Sequence, residues 1–153
     1  MKRSAGLLLH RRAPDGTLEV LIGHMGGPFW ARKDDAAWSV PKGEHEPDEA
    51  PQDAARREFS EELGVPVPPG PLTDLGEVRQ PSGKRITVWA LEADLDVATV
   101  VPGTFTLEWP PRSGTLREFP ELDRAEWTPV EQARRRLVRG QLPFLDRLLA
   151  HLG

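Results

Sequence analysis

Residues 43–65 read GEHEPDEAPQDAARREFSEELGV, and this stretch carries the strongest signal in the chain. Glu58, Glu61 and Glu62 follow one another at spacings of three and one, so a helix places all three side chains on one face. Like charges this close repel one another unless something binds them. Carboxylates offer only oxygen ligands, which suit a hard cation such as Mg²⁺ or Mn²⁺ and not zinc. The stretch therefore predicts a helix that carries a divalent-metal site.

Charge alone leaves a second interpretation open. Acidic runs are common on solvated helix faces, and Arg56 and Arg57 are placed to pair with such acids. The full spacing separates the two interpretations. It consists of glycine, five residues, glutamate, seven residues, and then Arg-Glu-apolar-x-Glu-Glu-x-Gly-apolar, with Phe59 and Val65 at the apolar positions. At every position this pattern resembles the signature of the Nudix hydrolase family, and we call residues 43–65 the box.

The composition bounds the protein class. A chain of 153 residues with 38% apolar and 29% charged residues is ordinary for one globular domain, here residues 1–153, and too apolar for disorder. The formal net charge of −4 argues against a general binder of nucleic acid or anionic membranes. The absence of cysteine excludes disulfides and thiolate chemistry and is typical of a reducing compartment, so we expect a cytoplasmic protein. No apolar stretch approaches membrane-spanning length, and residues 1–10 predict a first strand, not a signal peptide.

Local patterns predict alternating strands and helices. Turn chemistry at residues 14–16 predicts a hairpin of 6–12 and 18–24. The box helix is predicted over 48–63, with Asp48 as its N-cap and Gly64 ending it. Further strands are predicted at 38–40, 75–79 and 86–93, and another ends at Trp127. A capping box at 128–131, with Pro129 at the first helical position, predicts a helix that ends near Gly140. A last helix is predicted over 142–152. Strands on both sides of a helix predict an α/β or α+β fold with a mixed sheet.

The family resemblance adds expectations about fold and chemistry. It extends over most of the chain and implies an α/β/α sandwich that hydrolyses a nucleoside diphosphate linked to another group, with Mg²⁺ or Mn²⁺ bound. The implied metal ligands are Glu58, Glu61, Glu62 and the carbonyl of Gly43. Gly43 would also let the loop turn tightly.

The resemblance further implies which residues would catalyse the reaction or support the box. The implied catalytic set is Glu58, Glu61, Arg57 and Glu118, with Glu121 as the alternative distant glutamate. Glu49 and Arg57 would brace the loop against the helix, which Gly64 would end. Family members are often dimers, so a homodimer is a further expectation.

Substrate-binding candidates come from cations and aromatic residues near the box. Cations grip polyphosphates, and aromatic rings stack on bases, although solvated cations and buried aromatic residues are ordinary alternatives. The candidates are Lys42, Lys84, Arg85 and Arg112 for phosphates, and Trp38, Phe29 and Trp30 for a base. The residues interpreted as exposed loop positions outside the chemistry are Glu44, His45 and Glu46.

The substrate is less well defined by the sequence. The run from Trp38 to Glu44 is similar to the corresponding run of dinucleoside polyphosphate and diphosphoinositol polyphosphate hydrolases, and the whole chain resembles bacterial Nudix proteins assigned to nucleoside triphosphates. The chain lacks the tyrosine that some dinucleoside polyphosphate hydrolases carry after the box. Pro81 matches a position common in ADP-ribose pyrophosphatases. We therefore expect nucleoside tri- or polyphosphates first, ADP-ribose or nucleotide sugars second, and a non-catalytic nucleotide-binding module third.

Overall fold

The structure, a computed structural model, describes residues 2–153. The strands are β1 Arg3–Arg12, β2 Leu18–Met25, β3 Trp38–Ser39, β4 Lys42–His45, β5 Thr73–Arg79, β6 Arg85–Glu92, β7 Thr104–Glu108, β8 Leu116–Pro120 and β9 Leu122–Pro129. The helices are α1 Pro51–Leu63, α2 Val130–Arg136 and α3 Leu142–Leu152, with short 3₁₀ turns at Val97–Thr99 and Arg139–Gln141. Among residues 2–153, no helix combines the length and apolarity that crossing a membrane requires.

The strands form one mixed seven-stranded sheet and a separate hairpin. The main order is β3-β2-β1-β6-β5, with β4 paired to β1 and β9 paired to β2. β1 and β6 are parallel, whereas the other pairs are antiparallel, so the predicted mixed sheet is confirmed. The strands β7 and β8 pair only with each other.

Side-chain alternation along β1 divides the core into two layers. Leu7 and Leu9 face α1, where Phe59 and Leu63 are fully buried. Leu8 faces the opposite side of the sheet and belongs to the cluster that α2 and α3 cover. Successive strand residues point to opposite faces, so one apolar strand serves both layers. The α/β/α sandwich implied by the family resemblance is confirmed.

The box helix begins later than predicted. It starts at Pro51, and its N-cap is Ala50 with extended backbone angles (φ −61°, ψ 130°), not Asp48. A residue before proline avoids the helical region, and proline itself suits the first helical position. Gly64 ends the helix as predicted, in the left-handed conformation (φ 65°) with its N–H donating to the Ser60 carbonyl.

The predicted capping box at residues 128–131 is wrong. Pro129 is the N-cap of α2 and not its first helical residue, while the hydroxyl of buried Thr128 donates to the Glu126 carbonyl. The helix also stops at Arg136, before the predicted end near Gly140. Leu137 instead forms a bridge to Trp38, and the Val138 N–H donates to the Trp38 carbonyl. A tertiary strand contact therefore overrides the local helical pattern.

Candidate active site

Gly43 and Glu58 form the tightest contact of the box. Gly43 lies in β4 opposite Ala5 of β1, and its backbone is extended, so the tight turn expected at this glycine is a wrong expectation. A Cβ added at Gly43 would lie only 1.9 Å from Oε2 of Glu58. Glycine is required here because the Glu58 carboxylate lies directly against the backbone.

Arg57 donates hydrogen bonds to the side chains of three glutamates of the box. Its Nε and Nη2 donate to Oε2 and Oε1 of Glu49, each at 2.9 Å, so the predicted brace between loop and helix is present. Its Nη1 donates to Oε1 of Glu58 at 2.9 Å and to both carboxylate oxygens of Glu61 at 3.2 Å. These hydrogen bonds, above all those to Glu49, raise the pKa of Arg57 above its ordinary value. Arg57 therefore orients the glutamates and stays charged.

Glu58 and Glu62 are buried, with 9% and 8% of their surface exposed. Burial raises the pKa of Glu62 to about 8, against the opposing charge of Lys42, while Glu121 and Glu58 add to the increase. Burial also raises the pKa of Glu58, although Arg57 partly counters it. The backbone N–H of Lys42 donates to Oε2 of Glu62 at 3.3 Å. The site thus holds buried acidic groups that lack enough positive charge to ionise easily.

The third glutamate, Glu61, lies at the surface, with 59% of its side chain exposed. Within residues 2–153, no three histidine, aspartate or glutamate side chains are gathered closely enough to enclose an ion. Arg57 Nη1 donates to both Glu58 and Glu61. The donor set still fits Mg²⁺ or Mn²⁺, since it consists of oxygen ligands whose buried negative charge would be neutralised by a cation.

The distant glutamate near the box is Glu121, not Glu118. The charge of Glu121 acts on both Glu58 and Glu62, whereas Glu118 lies exposed on β8 opposite Thr106. The Gly103 N–H donates to the Glu62 carbonyl at 3.2 Å, and the Glu121 N–H donates to the Gly103 carbonyl at 2.8 Å. These backbone bonds hold Glu121 at the carboxyl end of the box helix, and no sequence motif indicated them.

The structure corrects the prediction that Trp38 stacks on a base. Its ring is fully buried, its Nε1 donates to Asp34, and the guanidinium of Arg136 lies 4.5 Å from its centroid. Phe29 is the aromatic residue left accessible, with 63% exposure, and it packs edge-on against Trp109 at 5.6 Å. Trp30 is half-buried against the core.

The cations predicted to bind phosphates occupy different places. Lys42 lies beside the box, where its charge acts on Glu62. Lys84 lies 3.7 Å from Glu44, in the turn before β6. Arg112 is at the tip of the β7–β8 hairpin, the end away from Glu121, and its N–H donates to Glu108. Of Lys42, Lys84 and Arg112, Lys42 is the one that the fold brings to the glutamates.

A cleft of about 650 Å³ borders the box at Glu49 and Arg57. Its wall includes His45, which is half-buried and not fully exposed as interpreted from the sequence, with Nδ1 3.0 Å from the Glu46 carbonyl. Lys2 and Arg3 also line it, and sequence reasoning missed both. Their position depends on the pairing of β1 with β4, and no local pattern indicated that pairing because β4 was not predicted as a strand.

The comparisons with known proteins identify the family. A family model described as NUDIX domain matches residues 2–148. The chain is 40% identical over 62 residues to "Putative 8-oxo-dGTP diphosphatase 3" of Mycobacterium tuberculosis strains CDC 1551 and H37Rv, a match that covers 40% of this chain and 27% of the relative. The aligned region thus spans about a quarter of those curated relatives.

Solved structures show the same fold. An Ap4A hydrolase of C. elegans, in a binary complex, aligns over 99% of this chain and 98% of its own, with a TM-score of 0.66 and 21% identity. The NUDIX domain of Shewanella oneidensis NrtR, complexed with ADP ribose, aligns over 99% and 88%, with a TM-score of 0.66 and 17% identity. The fold and the box define a Nudix-type domain. The chain belongs to the NUDIX family.

Proposed function

We propose that this protein is a metal-dependent pyrophosphohydrolase whose substrates are nucleoside tri- or polyphosphates. The observation that carries the proposal is the burial of two glutamates of the box, Glu58 and Glu62. This burial raises the pKa values of both carboxyl groups. Burying carboxylates without matching positive charge is costly, and sites of this kind are commonly completed by a ligand. The choice of nucleoside triphosphates is supported by the name of the mycobacterial relatives.

Each box residue has a stated part in the proposal. Glu58, Glu61 and Glu62, with the Gly43 carbonyl, would hold Mg²⁺ or Mn²⁺, which would neutralise the pyrophosphate and acidify the attacking water. Arg57 holds Glu58 and Glu61 in place through its hydrogen bonds. Lys42 would contact a phosphate oxygen. These parts favour a polyphosphate bound with its anhydride beside the box.

The proton that the attacking water loses is assigned to a carboxylate of the same cluster. The charge of Glu121 acts on Glu58 and Glu62. Backbone hydrogen bonds through Gly103 hold Glu121 near the end of α1. Its carboxylate would take the proton as water attacks phosphorus, and the phosphorus–oxygen bond of the anhydride would break, leaving two phosphate-bearing products. Positioned proton transfer of this kind contributes about 10²–10⁴-fold to a rate.

The test is a substrate panel incubated with Mg²⁺ or Mn²⁺ and resolved by chromatography. It should contain nucleoside triphosphates including 8-oxo-dGTP, dinucleoside polyphosphates and ADP-ribose. We expect faster turnover of the tri- and polyphosphates and none after chelation of the metal. Faster hydrolysis of ADP-ribose would instead assign the protein to the nucleotide-sugar pyrophosphatases. Tight nucleotide binding without product in any metal would indicate a non-catalytic module.

A further inference from the structure

We propose that a row of side chains across four strands, three of them arginines, binds the phosphates of a polyphosphate substrate that lie beyond the cleaved bond. The row consists of Arg79, Arg85 and Arg3, with His45 at its β4 end, and we call it the cation row. The inference rests on the proposed function, since it names the part of the substrate that this site would hold.

The strand register places these four residues side by side. Arg79 of β5 lies opposite Arg85 of β6, Arg85 lies alongside Arg3 of β1, and Arg3 lies opposite His45 of β4. Residues at matched positions on neighbouring strands point to the same face of a sheet, with their Cβ atoms about 5 Å apart. The four side chains therefore form one continuous line.

The line lies on the face that carries the box helix. Ala5, two residues after Arg3, packs in the core layer beneath α1, whereas Val78, just before Arg79, packs on the opposite layer. The pair Ala5–Gly43 is the next position along the strands, about 7 Å from Arg3–His45. Because the Glu58 carboxylate lies against Gly43, the Arg3–His45 end of the cation row is one strand step from Glu58, and Arg85 lies one strand further across the sheet.

Two of the three arginines in the cation row, Arg3 and Arg79, form no ion pair within residues 2–153, and the third has one. The one ion pair recorded for it within residues 2–153 joins Arg85 Nη1 to Glu77 at 3.5 Å, and the buried Nε of Arg85 has no hydrogen-bond partner there. Glu44 is already paired with Lys2 and Lys84. Like charges directly opposite one another destabilise a sheet, so the arrangement favours an anionic ligand.

The cleft joins one end of the cation row to the box. Arg3 and His45 line it together with Glu49 and Arg57, and Glu44 and Glu46 line it at exposed positions. Guanidinium groups match phosphate oxygens in a bidentate geometry and remain charged at all working pH values. A ligand with phosphates in series can therefore occupy the box and the cation row together.

This geometry selects among the substrate classes. A nucleoside triphosphate or dinucleoside polyphosphate carries further phosphates beside the bond that is cleaved. ADP-ribose carries two phosphates flanked by uncharged sugars, so it offers no anion to the cation row when its anhydride lies at the box. The cation row therefore favours substrates with three or more consecutive phosphates.

The first experiment measures binding of inorganic tripolyphosphate to the full chain by calorimetry, without divalent metal. Arg3→Gln and Arg85→Gln should each weaken binding about tenfold and reduce its salt dependence. Arg139→Gln removes the same charge from an exposed position outside the row and should leave binding unchanged. Arg85→Lys keeps the charge and should retain most of the affinity, and melting curves verify that each variant is folded. Equal binding by wild type, Arg3→Gln and Arg85→Gln would overturn the inference.

The second experiment separates this inference from the proposed function. For a nucleoside triphosphate, Arg3→Gln and Arg85→Gln should raise KM about tenfold with kcat within twofold, while the kinetics for ADP-ribose stay unchanged. An unchanged KM for the triphosphate would overturn the cation row and leave the hydrolase intact. Loss of tripolyphosphate binding in these variants, with no hydrolysis of any nucleotide by wild type, would support the anion site and refute the proposed activity.

Discussion

The two faces of the sheet bury charge in different ways. On the face that α2 and α3 cover, His24 is fully buried, its Nε2 lies 2.6 Å from the Lys33 carbonyl, and its Nδ1 lies 2.9 and 3.0 Å from the two carboxylate oxygens of Asp123. On the face that α1 covers, Glu62 is buried with one recorded hydrogen bond, from the Lys42 N–H. The first arrangement supplies its own partners, and the second leaves negative charge to be matched.

The difference separates a structural site from the proposed ligand-binding site. A buried polar group with complete partners stabilises the fold, and removing one partner is costly. A buried acid short of partners stores unfavourable free energy that a bound cation can relieve. Substitutions on the α1 face should therefore lower activity more than stability, and substitutions at His24 should lower stability more than activity.

The largest effect is expected at Glu62. Glu62→Gln should lower turnover by about a hundredfold or more, because it removes a charge that would hold the metal and so the substrate's developing charge. The melting temperature of the metal-free protein should stay equal or rise, because glutamine has no charge to desolvate. Steady-state kinetics and thermal melting test both, with Glu131→Gln, exposed on α2, as the matched control. Full activity in Glu62→Gln would remove this residue from the site.

The opposite pattern is expected at His24. His24→Phe keeps a ring beside Trp38 but leaves Asp123 and the Lys33 carbonyl without their partner. The free energy of unfolding should fall by about 2–3 kcal/mol, as for other buried hydrogen-bonded pairs that lose one member. Urea denaturation measures the loss, and kcat of the folded fraction should stay within about threefold. A variant as stable as wild type would remove the distinction between the two faces.

A smaller effect on activity is expected from Gly43→Ala. The new methyl group would meet the Glu58 carboxylate at 1.9 Å, so that side chain must move. Displacing a positioned group by about 1 Å lowers rates by up to about a hundredfold, and we expect about tenfold here. Gly140→Ala is the control, because its nearest neighbour is the flexible Gln80 side chain at 3.4 Å. Equal kinetics in the two variants would refute the close packing of Glu58 on β4.

The remaining prediction is a pH dependence of stability. The folded protein holds a proton on Glu62 up to a pKa of about 8, whereas the unfolded chain loses it near the ordinary value of 4.5. The metal-free protein should therefore lose stability as pH rises from 4.5 through 8. Stabilisation by added Mg²⁺ should grow over the same range, because the cation needs the ionised acid. Melting curves at pH 6, 7 and 8 measure both, and Glu62→Gln should flatten both slopes.

The box and the sheet could be predicted from the sequence because their signals are local. The spacing of Glu58, Glu61 and Glu62 follows the helical repeat, and apolar runs mark β1 and β2. The family signature then supplied the sandwich and the Glu49–Arg57 brace, which the structure contains.

The remaining features depend on contacts between distant residues. The choice of Glu121 over Glu118 follows from backbone bonds through Gly103. The cation row requires the registers of four strands, and burial of Trp38 follows from its contacts with Asp34 and Arg136. Local propensity carries no information about such pairings.

The β7–β8 hairpin begins and ends at neighbouring positions in the fold. Gly103 before it and Glu121 after it are joined by a hydrogen bond, and Glu121 also accepts from the Gly26 N–H at 2.9 Å. Residues 104–120 therefore form a hairpin whose two ends are joined by a backbone hydrogen bond. An insertion at the tip of this hairpin should leave the position of Glu121, the residue proposed to take the proton, unchanged.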